Sequence, residues 1–409
     1  MKKVVVLLFA LAGMVLAQTT VRLSGFGGDN VPVVNGLLNE IVNPKLAKDG
    51  IKAVYEPVEG DYTKAILNAL SAGTAPDLFY VDIFWAESAF ASGRVEPLDS
   101  YFTKQELSAF LPNLMQAFTY KGKVYGIPKD FNTLALQYNK DLFDEAKVAY
   151  PNQADTWESF EAKIKAVQEK LGDVAGFCVV PDFARFGAFA YGTGWRPFDS
   201  QGKTVLDANF KRAFEWYTGL AKRGAAKPAQ DLGEGWTGGC LGGEKAATAL
   251  EGAWIGGFLR DKAPNMRFGT TFVPLDPQSK KRGNFTFTVS WSLYTGSKNK
   301  SAAVKVLKAI TSPEAQQWVL ERGLALPSRS ALANNPIFQR SGKDAELNRT
   351  VFLGSTALGG AVLPYKFAAY GGDWLTIINE ALSAVITGQK NVDQALADAQ
   401  ARFDKLTGK

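Results

Sequence analysis

Residues 120–143 read YKGKVYGIPKDFNTLALQYNKDLF. Tyr120, Val124, Tyr125 and Ile127 mark a strand-like run, with Lys121-Gly122-Lys123 as a tight polar turn inside it. Pro128 has no N–H to donate, so it is expected to interrupt a β-ladder. Lys129-Asp130-Phe131-Asn132-Thr133 reads as polar and irregular. Leu134-Ala135-Leu136-Gln137-Tyr138 is strand-like again, and Asn139-Lys140-Asp141 opens a helix. A strand broken by a polar pivot midway through a long chain fits a crossing between two lobes. A surface hairpin within one domain is the alternative.

The chain around that stretch has 409 residues, beyond the size at which a single hydrophobic core stops growing, so two lobes are expected. Its 46% hydrophobic and 21% charged content fits a globular protein. The net charge of +6 is spread without a basic run, which argues against nucleic-acid binding. There is no histidine, which removes Ser-His-Asp and Cys-His catalysis and His-bearing metal sites. No metal or cofactor is expected.

Lys2-Lys3, the apolar run 4–15 and Val15-Leu16-Ala17 before Gln18 read as a cleaved export signal over residues 1–17. The run is shorter than the ~20 apolar residues that a bilayer span requires. The expected location is periplasmic or extracellular. In an oxidising compartment Cys178 and Cys240 suggest one disulfide, with two buried free thiols as the alternative.

Earlier in the chain, residues 20–24 form a short alternating strand that runs into Gly25-Phe26-Gly27-Gly28-Asp29-Asn30. This departs from a dinucleotide fingerprint, because Asn30 stands where the third glycine belongs. It reads instead as a ligand-facing loop at a strand's carboxyl end. Helix 33–46, strand 53–58, a helix capped by Asp61 and stopped at Gly73, and strand 77–81 complete a strand–helix alternation typical of a mostly parallel α/β lobe. Farther on, residues 242–250 read as helical and 336–365 as irregular. Thr156 caps a helix without completing a capping box, since Ser159 replaces the usual Glu. Residues 285–294 alternate Phe285, Phe287, Val289 and Trp291 as a second candidate crossing.

Several segments resemble the sugar-type extracellular solute-binding proteins of ABC transporters, the maltodextrin-binding-protein-like family. Leu70-Ser71-Ala72-Gly73-Thr74-Ala75-Pro76-Asp77 is similar to the family's AL.AG.APD segment. Gly122-Lys123-Val124-Tyr125-Gly126-Ile127-Pro128 with Tyr138-Asn139-Lys140-Asp141-Leu142 resembles its GK.YGIP…YNKDL core. Thr156-Trp157 resembles TW.EF. Gly243-Glu244-Lys245-Ala246-Ala247 through Glu251-Gly252-Ala253-Trp254 resembles G.AAM…G.W, with Thr248 in place of Met. Ser312-Pro313-Glu314-Ala315-Gln316 and Leu326-Pro327-Ser328-Arg329 resemble S.E.Q and PTR. The segments run in family order over almost the whole chain after the signal.

The resemblance implies an α/β, two-lobed periplasmic-binding-protein fold, each lobe a mixed sheet flanked by helices, with hinge crossovers and a central cleft. It places the first lobe at 18–130 plus 290–340 and the second at 131–289 plus 341–409. It also implies a monomer that performs no catalysis, captures a sugar by closing its lobes, and delivers it to membrane permease subunits of an ABC importer.

A sugar offers apolar faces and hydroxyl edges, so its site uses aromatic rings together with carboxylates or amides. On the first lobe the candidates are Asp29 and Asn30 at a strand end, Tyr62 after the Asp61 cap, and Asp82 and Trp85 after the third strand. On the crossing, Asn132 matches a polar family contact, with Asp130 a lesser candidate. On the second lobe they are Tyr191, Trp195 and Trp254; Trp254 matches the family tryptophan that stacks on sugar. Trp291 lies on the second crossing, and Tyr365 and Trp374 flank the late return. Arg322 and Arg329 would suit an anion unless they pair with nearby acids such as Glu321. Two other functions are considered: the same fold binding a glycerol-phosphate-type solute, which requires convergent cations, and a secreted glycosidase using Asp82 and Glu251.

Overall fold

A computed structural model describes residues 18–28, 30–322, 325–356, 361–362 and 370–407. The expected signal 1–17, Asp29 and Tyr365 lie outside the described residues. Strand β1 (Thr19–Phe26) pairs in parallel with β2 (Ile51–Val58) on one side and β3 (Leu78–Asp82) on the other. The second crossing strand, Phe287–Leu293, runs antiparallel to β3, and the first, Gly126–Asn132, closes the sheet at its edge. Helix Tyr62–Ala72 follows β2, capped by the Asp61 carboxylate on the Lys64 N–H and ended by Gly73 at φ +77°.

The stretch 120–143 folds differently from expectation at its centre. Gly126–Asn132 is one continuous strand. Pro128 is tolerated because this is the edge strand, where an absent N–H leaves no partner unpaired. The ladder does shift register there. Asp130 faces Val289 and Pro128 faces Ser290, so Lys129 is the extra residue of a β-bulge. After this strand, Ala135–Asn139 enters the second lobe as the middle of a three-stranded sheet, between Thr248–Glu251 and Phe268–Thr271. The Asn139 side chain then caps helix Lys140–Ala146.

Three other elements also depart from expectation. Residues 242–250 are not one helix: helix Thr237–Gly242 ends, Glu244 adopts φ +56°, and Thr248–Glu251 is a buried outer strand of the three-stranded sheet. The Ala-rich segment before Leu250 lacks a polar face, so its periodicity alone does not distinguish the two structures. Within 336–365 lies helix Lys343–Thr356, whose stripe is weak because it buries Asn348 and Thr350 as well as Leu347 and Val351. The capping box at Thr156 is complete, with the Ser159 hydroxyl accepting from the Thr156 N–H.

Two large apolar clusters form the lobe cores. The first draws on residues 21–127 and 289–318, the second on 134–285 and 374–403. A third sits where the chain crosses and joins Leu114, Phe131, Leu320 and Leu326 to Ala249, Ile255, Phe268 and Val351. Each lobe core is therefore assembled from discontinuous segments. Cys178 and Cys240 are joined in a disulfide inside a small buried cluster of the second lobe.

Candidate functional site

A cavity of about 630 Å³ lies between the lobes. Its floor is one face of the first lobe's sheet. Tyr80 on β3 stands opposite Trp291 on the second crossing strand, and their ring centroids are 4.2 Å apart. Two residues along, Asp82, Val289 and Asp130 stand abreast on three adjacent strands. Regular alternation would turn Lys129 and Asp130 to opposite faces, but the bulge lets both reach the cavity wall, where they form an ion pair. The Lys129 ammonium also lies 5.1 Å from the Tyr80 ring centroid. Tyr80 packs so closely over β1 that a Cβ on Gly25 would lie 2.5 Å from its Cδ2 atom.

The remaining walls are aromatic with paired charges. Asn30 and Glu40 contribute from the first lobe's opening helical segment. Trp318, on helix Pro313–Glu321, donates its indole N–H to Glu40 at 2.8 Å. Arg322 pairs with the same carboxylate at 3.2 Å and covers the Trp318 ring at 3.5 Å. The opposite wall, from the second lobe, carries Trp236, Trp254 and Phe258. Three cations and three acids line the cavity: Lys129, Arg260 and Arg322 against Glu40, Asp130 and Asp261.

Trp254 is held at several points. Its indole N–H donates to Glu251 Oε2 at 2.7 Å, and Phe287 meets its ring edge-on at 5.4 Å. Glu251 is fully buried and also accepts from Arg185 at 2.6 Å and from the Thr237 hydroxyl. Those bonds leave Glu251 no role as a free acid or base.

Of the expected site residues, Asn30, Trp254 and Trp291 are brought together in the cavity, along with the lesser candidate Asp130. Asn132 stands just behind it: its side chain is buried and its amide oxygen accepts from the Ala253 N–H at 3.0 Å. Asp82 is partly buried and off the wall. Its carboxylate accepts from the Phe84 N–H at 3.0 Å and is pushed up to about 7, chiefly by burial and further by Asp130; the Phe84 N–H and Lys129 oppose the rise.

The other expected residues are core. Tyr62 joins β1 to β3, its hydroxyl accepting from the Tyr80 N–H and lying 3.2 Å from the Ser24 carbonyl. Trp85 is buried in the first lobe core. Tyr191, Trp195 and Trp374 belong to the aromatic core of the second lobe, where Trp195 donates to the Val205 carbonyl and Trp374 to the Thr204 hydroxyl. Arg329 donates to the Thr311 carbonyl and lies over Phe110.

Sequence reasoning missed Tyr80, Trp236, Phe258 and Trp318. One signal was available for Trp236, which is set among Gly233, Gly235, Gly238 and Gly239. A Cβ on Gly238 would overlap its ring. Tryptophan among glycines marks a ring lying against backbone, and Phe258 meets this one at 4.8 Å.

Comparison with known proteins gives the same architecture. The mannitol-binding protein of Pseudomonas aeruginosa is 25% identical over 353 residues, covering 79% of this chain and 78% of that protein. An ABC substrate-binding protein of Listeria monocytogenes, solved in complex with cycloalternan, superposes with a TM-score of 0.84 at 20% identity, covering 96% of this chain and 99% of that one. The GacH receptor of Streptomyces glaucescens, solved unliganded and with acarbose, gives 0.83 at 23% identity, over 96% and 99%. The bacterial extracellular solute-binding protein family matches residues 41–346, and this two-lobed chain with its cavity between the lobes belongs to that family.

Proposed function

We propose that this chain is the substrate-binding protein of an ABC importer. It captures a neutral sugar between its lobes by hinge closure and hands it to membrane permease subunits. The observation that carries the reading is the cavity wall. Tyr80, Trp236, Trp254, Trp291 and Trp318 supply ring surface for the apolar faces of a pyranose or polyol, and beside them Lys129 already pairs with Asp130 and Arg322 with Glu40. A phosphate ester would require several convergent cations without such partners, and two of the three lining cations are paired with acids. A glycosidase would require a carboxyl group free to act, and Glu251 is occupied by Arg185, Thr237 and Trp254. Named relatives bind mannitol, cycloalternan and acarbose, which supports a polyhydroxylated neutral ligand. Export by residues 1–17 to the periplasm or exterior and action as a monomer complete the proposal.

The test is calorimetric titration with a panel of sugar alcohols and mono- to tetrasaccharides. At least one should bind, and Trp254→Ala should weaken that binding tenfold or more. No heat from any member of the panel overturns the sugar reading.

A further inference from the structure

The strongest unassigned feature is the way the two lobe crossings grip the tryptophan of the opposite lobe. Asn132 and Phe287 are directly opposed residues, one on each crossing strand. Asn132 accepts the Ala253 N–H at 3.0 Å, and Phe287 packs edge-on against Trp254 at 5.4 Å. Both therefore converge on the four-residue segment Glu251-Gly252-Ala253-Trp254.

Each residue of that segment has a distinct fixing. The Glu251 backbone is clamped by the Gln137 side chain, whose amide accepts the Glu251 N–H and donates to its carbonyl, each at 3.0 Å. The Glu251 carboxylate then pins the Trp254 indole N–H. A Cβ on Gly252 would lie 2.6 Å from Cη2 of the indole, well inside contact distance, so the ring rests directly on that glycine's backbone. Ala253 is tied to the crossing by Asn132. The Arg185 guanidinium lies 5.7 Å from the ring centroid while it neutralises Glu251. The ring's azimuth, height and distance from the hinge are thus fixed by groups other than the ligand.

We propose that Glu251-Gly252-Ala253-Trp254 is a rigid mount anchored to both hinge strands, and that Asn132 is a positioning residue which sets ligand affinity without touching the ligand. The buried Asn132 amide oxygen ties its strand to the mount, and its loss leaves the Ala253 N–H buried without that acceptor. The segment that carries Trp254 then relaxes relative to the hinge, and the ring loses its single orientation. Preorganisation of this kind raises affinity by reducing the ordering cost of binding. The affinity part of the proposal rests on the cavity being the ligand site; the mount itself does not.

The test uses the full secreted chain labelled with 5-fluorotryptophan, with the Trp254 resonance assigned by its absence from Trp254→Phe. The wild type should show one narrow Trp254 line. Asn132→Ala should shift, broaden or split that line while leaving those of buried Trp195 and Trp374 in place, and Asn132→Asp, which keeps the acceptor, should restore it. Titration with the best-binding member of the saccharide panel should show about a tenfold affinity loss for Asn132→Ala. In a Trp254→Phe background, Asn132→Ala should cost less than twofold further, because the residue that it positions has gone. An unperturbed Trp254 line in Asn132→Ala overturns the mount. A perturbed line with unchanged affinity overturns the positioning role. If no saccharide binds the wild type, the sugar reading falls, while the fluorine spectra still decide the mount.

Discussion

Asp82 gives the most specific solution test of the site's electrostatics. It stands abreast of Asp130 across Val289 at the hinge end of the first lobe's sheet. Burial and the neighbouring Asp130 carboxylate push it up to about 7, against the Phe84 N–H and Lys129, which lower it. An unfolded aspartate titrates near 3.9. Between these values the folded chain holds a proton that the unfolded chain has released. The stability associated with this group is therefore fully present below about pH 4 and lost as pH rises through about 7. Three pKa units correspond to about 4 kcal/mol for a fully buried group; because Asp82 is only partly buried, we take roughly 2 kcal/mol. The Asp82→Asn variant keeps an oxygen for the Phe84 N–H but cannot titrate. Urea unfolding of both proteins should be followed every half unit from pH 4.5 to 8. The wild type should lose roughly 2 kcal/mol relative to the variant across that range, with most of the change between pH 5 and 7.5. Parallel stability profiles would refute the argument, since they would mean that Asp82 ionises in the folded chain as it does in water.

Two further predictions concern parts of the fold away from the cavity wall. Replacing both Cys178 and Cys240 by Ser releases a closed loop spanning a separation of 62 residues, and chain entropy sets the expected loss at ~4 kcal/mol; an unchanged urea midpoint for the double variant would contradict it. Trp374→Ala removes a fully buried indole from the second lobe core and should cost about 3–5 kcal/mol in unfolding free energy, while the folded variant binds its saccharide within twofold of wild type. A tenfold affinity loss in a variant with native stability would return Trp374 to the ligand surface.

The fold was legible because the strand–helix alternation before residue 82, the capped helices and the family-ordered motifs all agree with one architecture. The site was legible only in part, and the reason is specific to aromatics. Tyr62 and Trp374 sit near helix starts and Tyr191 and Trp195 near a helix end, where a ligand-facing residue could also stand. Hydrogen-bond partners assign three of them to the core, Tyr62 with the Tyr80 backbone, Trp195 with Val205 and Trp374 with Thr204, and ring packing against Phe183 and Phe285 assigns Tyr191. Those hydrogen-bond partners are 10 to 170 residues away in sequence, and no local pattern encodes them. Trp318 illustrates the converse. It stands on a helix with no local mark of a ligand surface, and its indole is held at the cavity by Glu40, 278 residues away.

The bulge at Lys129 explains why the hinge and the cavity floor coincide. In an unbulged strand Ile127 and Lys129 would share a face and Asp130 would point away from Tyr80 and Trp291. The extra residue reverses that phase, so Asp130 joins the aromatic face while Lys129 remains beside it as its counter-ion. A lone aspartate on this floor would face Asp82 across a single strand without compensation; a lone lysine would favour anions. With both present the floor is polar yet close to neutral, which suits hydroxyl groups better than phosphates. Beyond the bulge the strand runs on to Asn132, which ties it to the Trp254 segment. The same seven-residue strand thus carries the floor's paired charges at its middle and the hydrogen bond to the opposite wall's segment at its end. A movement of the lobes about this strand would be felt at both places at once, which couples hinge angle to ligand contact without a separate relay.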